Sequence, residues 1–295
     1  MLFCFHLISL GKYRNNRHRD NKHTLSSVAR ETAVSLPADS PILAMFKTAA
    51  LKLNARQDRH ERLVKLSRDI TIESKRIIFL LHSAITKEAC EKAVSEANER
   101  LQKLVKGPIK SIGLELENVP AYLHSNAVTA GFQEFIEAQT LCSLMERQSI
   151  ITWREVQNDL TYEVEDIAKD ESERTVVTML TQNDYMLGLA DLTGELMRRA
   201  INSISSGESE ECFNCCQNVR ELYTGFLGVT GCGRELVRKL GTTRRNVEKV
   251  EGAAYALRVR GGEAPGALLP AALLAAPEPW PEPALHHDDH DEGFY

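Results

Sequence analysis

Residues 62–82 read R-L-V-K-L-S-R-D-I-T-I-E-S-K-R-I-I-F-L-L-H, and their periodicity decides the fold. At about 100° per residue, Leu63, Leu66, Ile70, Ile77 and Leu81 share an arc of roughly 60°, the narrow apolar stripe of an amphipathic helix. The opposite side mixes Arg62, Lys65, Arg68, Lys75 and Arg76 with Glu61, Asp69 and Glu73. A face of mixed sign reads as a solvated, ion-paired surface, with RNA contact by its arginines as the competing reading. Upstream, Ser40-Pro41 has the form of an N-cap followed by proline at the first helical position. One helix is therefore expected from there to about Leu81.

The same period continues along the chain. Further helices are expected at about 87–106, 115–147, 153–166, 184–205, 208–228 and 233–260. Thr152-Trp-Arg-Glu155 is a capping box and marks one start. Gly107-Pro108 is expected to break the chain between two helices, and the acidic run 163–173 to form a solvated crossing loop. No strand-like alternation is sustained. The expectation is an all-α, single-domain bundle of about seven helices over residues 39–262. On either side lie a basic N-terminal arm, 1–38, and an Ala/Pro-rich acidic tail, 263–295, both with the composition of disordered segments.

Composition narrows the class. The chain has 295 residues, 43% hydrophobic and 26% charged, with a formal net charge of −5. That balance is ordinary for a globular protein and leaves room for a local basic patch. The apolar stretch at the N-terminus is about ten residues long, too short to span a bilayer, so a soluble protein is expected. Seven cysteines are scattered without a disulfide frame, as in a reducing compartment. Cys212, Cys215 and Cys216 read as free thiols on amphipathic helices.

Two helices carry acids at helical spacing. Glu134 and Glu137 are three residues apart in G-F-Q-E-F-I-E-A, and Asp191 and Glu195 four apart in A-D-L-T-G-E-L-M. The members of each pair therefore point the same way, within about 60° and 40° around the axis. Their neighbours are apolar, so the acids must be exposed, paired with cations or bound to metal. Bundles build metal sites from facing helices, and an all-oxygen set without imidazole suits Mg²⁺ or Mn²⁺. Spacing alone leaves the alternatives open, since Arg198 and Arg199 are close enough in sequence to pair with Glu195. No histidine or lysine is placed well enough to nominate as general base. Small Thr193 and Gly194 between the α-helical acids are expected to leave room for an ion and a phosphate.

Beyond these patterns, residues 62–82, 131–138, 184–198, 201–204 and 249–261 together resemble the translin superfamily, in its translin-associated factor X branch. The resemblance spans about residues 40–262. It implies a translin-like helical fold in a hetero-oligomer with translin, present in cytoplasm and nucleus. It further implies that Glu134, Glu137, Asp191 and Glu195 are the catalytic, metal-holding acids of a Mg²⁺-dependent endoribonuclease. The implied substrates are single-stranded RNA, namely passenger-strand fragments in RNA interference and tRNA precursor fragments. The alternative expectation is a noncatalytic helical scaffold that stabilises translin and binds RNA or single-stranded DNA. A nuclear adaptor role for the basic arm is a third.

Overall fold

The structure is a computed structural model and describes residues 40–84, 86–165, 173–230 and 233–260. The expected arm and tail, with the boundaries drawn at 38/39 and 262/263, lie outside the described residues. By contacts the chain divides into two units, residues 1–59 and 60–295. In the first, the described residues from Pro41 onward are helical, and Ile42, Met45, Phe46, Leu51 and Leu53 are exposed.

The long helix, α1 (Pro41–Ser83), begins at the proline the sequence marks. Its stripe is a core seam: Leu63, Ile70, Ile77 and Leu81 are fully buried and Leu66 is packed at the edge. Helix α2 (Lys87–Leu104) starts at Thr86, whose side chain accepts from the Ala89 amide.

Gly107-Pro108 does not break the chain as expected. Residues Val105–Ile109 form a turn of π-helix that runs directly into α3 (Lys110–Leu116). Pro108 has no N–H to give to an i−4 carbonyl, and the wider turn accommodates it without ending the helix. A short 3₁₀ turn (Ala121–His124) then leads into α4 (Ser125–Arg147), so this helix starts ten residues later than its periodicity suggests.

Helix α5 (Trp153–Asp159) opens on the expected capping box, both of its reciprocal hydrogen bonds being present. It ends early, and the acidic stretch after it is more than a loop. Strands β1 (Thr161–Glu165) and β2 (Glu173–Val177) pair antiparallel, Tyr162 opposite Val176. Both of those residues are buried, while Glu163 and Arg174 are exposed. The alternation lasts five residues per strand, too few to stand out from the surrounding charge. Tertiary contacts hold the hairpin: the Tyr162 hydroxyl donates to the Val105 carbonyl at 2.9 Å, and Thr178 Oγ1 to that of Ile109 at 3.0 Å. The π-turn and the hairpin thus support each other.

Helices α6 (Gln182–Ser206), α7 (Ser209–Leu227) and α8 (Arg234–Arg260) complete the fold. Two glycines set how closely the site-bearing helices approach. A Cβ on Gly131 of α4 would lie 2.8 Å from Ser67 Oγ of α1, and one on Gly188 of α6 would lie 2.7 Å from Ile136 Cβ of α4. These backbones touch because no side chain stands between them. No helix among the described residues is long and apolar enough to cross a membrane.

Candidate metal centre

The close packing of α4 on α1 and α6 brings the four sequence-picked acids into one electrostatic field. Glu137 is the most enclosed, 9% exposed, and has no hydrogen bond or ion pair among the described residues. Burial pushes its carboxyl up to about 8, and the negative charges of Asp191, Glu195 and Glu134 push the same way. Lys239 acts to lower it, and the Lys75 ammonium also feels the Glu137 charge. A carboxyl raised by burial and by like charges from two helices is one that a cation would relieve.

The other three acids are tethered. Lys75 Nζ of α1 lies 3.0 Å from Glu134 Oε1, and this contact raises the lysine's pKa. Lys239 Nζ of α8 lies 2.5 Å from Asp191 Oδ2. Glu195 Oε2 takes two donors, His82 Nε2 of α1 at 2.7 Å and Arg198 Nη1 at 2.9 Å. Of the two arginines considered from sequence, only Arg198 pairs with Glu195; Arg199 turns to Glu211 of α7.

The structure brings two lysines and a histidine to the acids, none of which the sequence nominates. Lys75 and His82 are seven residues apart on α1, hence about 20° apart around its axis and on the flank of the buried stripe. That spacing was a usable signal. Lys239 carries none, since it sits among other basic residues of α8 and only packing selects it.

The expected role of Thr193 is also corrected. Thr193 is fully buried, its hydroxyl donating to the Ala190 carbonyl at 2.7 Å and accepting from Asn246 Nδ2 at 3.0 Å. A Cβ on Gly194 would meet Asn246 Nδ2 at 3.8 Å. Thr193 therefore faces α8 and serves packing, while the space beside Gly194 is largely open.

The fit to a divalent ion is one of chemistry and charge. Four carboxylates supply hard oxygen donors, and Glu137 is short of positive charge. The side chains are not drawn together into a ready-made shell, for among the described residues no group of three or more His, Cys, Asp or Glu stands close enough to hold an ion. Lysines and a histidine hold three of the acids instead.

The cysteines belong elsewhere. Cys212, Cys215 and Cys216 of α7 are free and buried, and burial raises the thiols of Cys212 and Cys215 to about 11 and 12. Such thiols are inert core residues.

The chain is similar to several known proteins. The translin family model matches residues 58–261. The chain is 38% identical to translin-associated protein X of Mus musculus over 270 residues, covering 88% of this chain and 91% of the relative. It is 28% identical to the translin-associated protein X homolog of Schizosaccharomyces pombe, covering 69% and 83%. Among solved structures, that of AfC3PO in complex with duplex RNA matches with a TM-score of 0.54 at 19% identity, covering 75% of this chain and all of the other. At that identity the likeness speaks for the fold.

Proposed function

The chain belongs to the translin family, and from that premise we propose that it is the catalytic subunit of a Mg²⁺-dependent endoribonuclease formed with translin. The observation that carries the proposal is the buried, unpartnered carboxyl of Glu137 within the electrostatic reach of Glu134, Asp191 and Glu195. A folded protein pays for such repulsion in stability, and a bound cation is the chemistry that would offset it. RNA is the substrate class to test first, because AfC3PO, which shares the fold, has been solved with duplex RNA. Single-stranded RNA, including passenger-strand and tRNA precursor fragments, is the proposed substrate, with cytoplasmic and nuclear residence.

Glu134, Glu137, Asp191 and Glu195 would hold the ion, with Mn²⁺ as a substitute for Mg²⁺. When bound there, a divalent ion supplies Lewis-acid polarisation of a phosphate oxygen and a more acidic water. The chain's own contribution is positional. Lys75, Lys239 and the His82–Arg198 pair each hold one oxygen of an acid, so these carboxylates do not wander. Glu137, held protonated near neutrality by burial and its acidic neighbours, would have to lose that proton to hold the ion.

The test is cleavage of single-stranded RNA by the full chain co-expressed with translin, with and without EDTA. Glu137→Ala and Asp191→Asn should abolish cleavage while the complex still assembles. Full activity in either variant, in nuclease-free protein, would remove the assignment.

One observation favours a second reading. Three of the four acids already have cationic partners, as in a scaffold whose charges are balanced internally. A noncatalytic subunit that stabilises translin and binds RNA or single-stranded DNA would retain RNA affinity in both variants and show no divalent-ion binding in either the native chain or its variants.

A further inference from the structure

The tethers on α6 fall on particular oxygens, and that pattern has a use. Glu195 receives both His82 and Arg198 on Oε2, and Asp191 receives Lys239 on Oδ2. Among the described residues, Glu195 Oε1 and Asp191 Oδ1 accept nothing. Each acid therefore has one oxygen held and one open.

The four tethers are not equal. Lys75 and Arg198 are more than half exposed, at 63% and 57%, where water and salt screen an ion pair and the side chain keeps its freedom. His82 and Lys239 are 9% and 16% exposed. A carboxylate oxygen only accepts, so His82 Nε2 is the donor. Lys239 has a complete set of acceptors: Asp191 Oδ2 at 2.5 Å, Gln133 Oε1 at 2.9 Å and the Leu187 carbonyl at 3.3 Å. An ammonium group has three N–H bonds, and here all three are engaged. Gln133 adjoins Glu134 on α4, and Leu187 lies one turn before Asp191 on α6. Lys239 therefore ties α8 to both acid-bearing helices at the level of the site.

We propose that Lys239 and His82 are positioning residues of the acidic site, each fixing one oxygen of Asp191 or Glu195 so that the other is presented to the divalent ion. The assignment rests on the metal-site reading above. A saturated lysine does not follow a substrate phosphate, so its part is to orient Asp191. Outer partners of this kind govern metal affinity because they remove the ligand's freedom before the ion arrives.

The sign of one measurement separates positioning from simple charge balance. Removing a positive charge beside four carboxylates strengthens their attraction for a cation. If Lys239 were only a counter-charge, Lys239→Met would bind Mn²⁺ more tightly and Lys239→Arg would bind as the native chain does. As a positioning residue its loss weakens Mn²⁺ binding by roughly 10- to 100-fold. Lys239→Arg weakens it as well, since a planar guanidinium cannot reproduce three diverging N–H bonds. His82 gives an independent arm that survives a folding failure at Lys239: His82→Leu should weaken Mn²⁺ binding, and His82→Gln, which keeps an N–H donor, should restore much of it.

The experiment is an electron paramagnetic resonance titration of Mn²⁺ alone into the full chain co-purified with translin, with Glu137→Gln as reference. Weakened binding in Lys239→Met, Lys239→Arg and His82→Leu, with recovery in His82→Gln, is the expected result. Native or tighter binding in Lys239→Met, or equal binding in His82→Leu and His82→Gln, overturns the positioning role while loss in Glu137→Gln leaves the acidic site standing. Unchanged binding in Glu137→Gln overturns both.

Discussion

Helix α6 carries two ionic sites a single turn apart, and they are built on opposite principles. At Arg199 the guanidinium meets Glu211 of α7, one charge against one, with side chains 16% and 32% exposed. Burial pulls the arginine's pKa down, but the bond and charge of Glu211, with Cys90 and Cys215, together outweigh it and the net shift is upward. Cys215 adds a long hydrogen bond to the same carboxylate at 3.8 Å. At Glu195 and Asp191, by contrast, acids from two helices gather around a Glu137 that has no partner of its own. A closed pair satisfies itself and reads as structural; an acid left short of positive charge reads as a place for a ligand. Proximity of charge does not distinguish the two sites. Balance does.

The comparison can be broken or sharpened in several ways. The largest effect expected is on the pH dependence of the metal-free chain. Glu137 has a folded pKa of about 8 against an ordinary 4.5, so the folded state binds more protons than the unfolded state between those values. Stability is then fully present below about pH 4.5 and falls as pH rises to 8, by on the order of 5 kcal/mol. Chemical denaturation of the native chain and Glu137→Gln across this window, in EDTA, should show the slope in the first and a flatter profile in the second. Parallel profiles would mean that Glu137 is not the strained acid.

Next comes the closed site. Arg199→Leu leaves the Glu211 carboxylate partly buried without its cation and should cost about 3 kcal/mol, visible as a lower denaturant midpoint. Its RNA cleavage per folded molecule should be unchanged, in contrast to Asp191→Asn. Equal loss of cleavage in both would merge the two sites into one.

A smaller effect is expected where the backbones touch. Gly188→Ala places a methyl against Ile136 and should destabilise by about 2 kcal/mol while lowering Mn²⁺ affinity, because it moves α6 relative to α4. Loss of stability with unaltered ion binding would separate helix spacing from the geometry of the acids. The smallest effect belongs to the exposed tethers. Lys75→Ala and Arg198→Ala should each change stability by less than about 1 kcal/mol. A cost above that in a thermal melt would show that solvent screens these pairs less than their exposure implies.

Much of the fold was legible because local chemistry repeats. The stripe of α1, the capping box of α5 and the apolar faces of α4 and α6 are periodic, and period 3.6 survives in one dimension. The π-turn at Pro108 and the five-residue strands after Leu160 were not. Their signals are short, and both depend on partners distant in sequence, Tyr162 on Val105 and Thr178 on Ile109. Thr193 was misread for a related reason. Its neighbours in sequence are Asp191 and Glu195, but its neighbour in space is Asn246.

The sequence by itself determined the helical class, the two pairs of acids and, through resemblance, the family. Spacing along a helix states which side chains share a face, and 191 with 195 or 134 with 137 share one whatever surrounds them. Only the tertiary structure decided that the two faces meet, that Glu137 is the enclosed member, and that His82 and Lys239 reach in from α1 and α8. Those facts depend on how closely backbones pack at Gly131 and Gly188 and on which of many basic residues lies opposite an acid. Linear order carries neither.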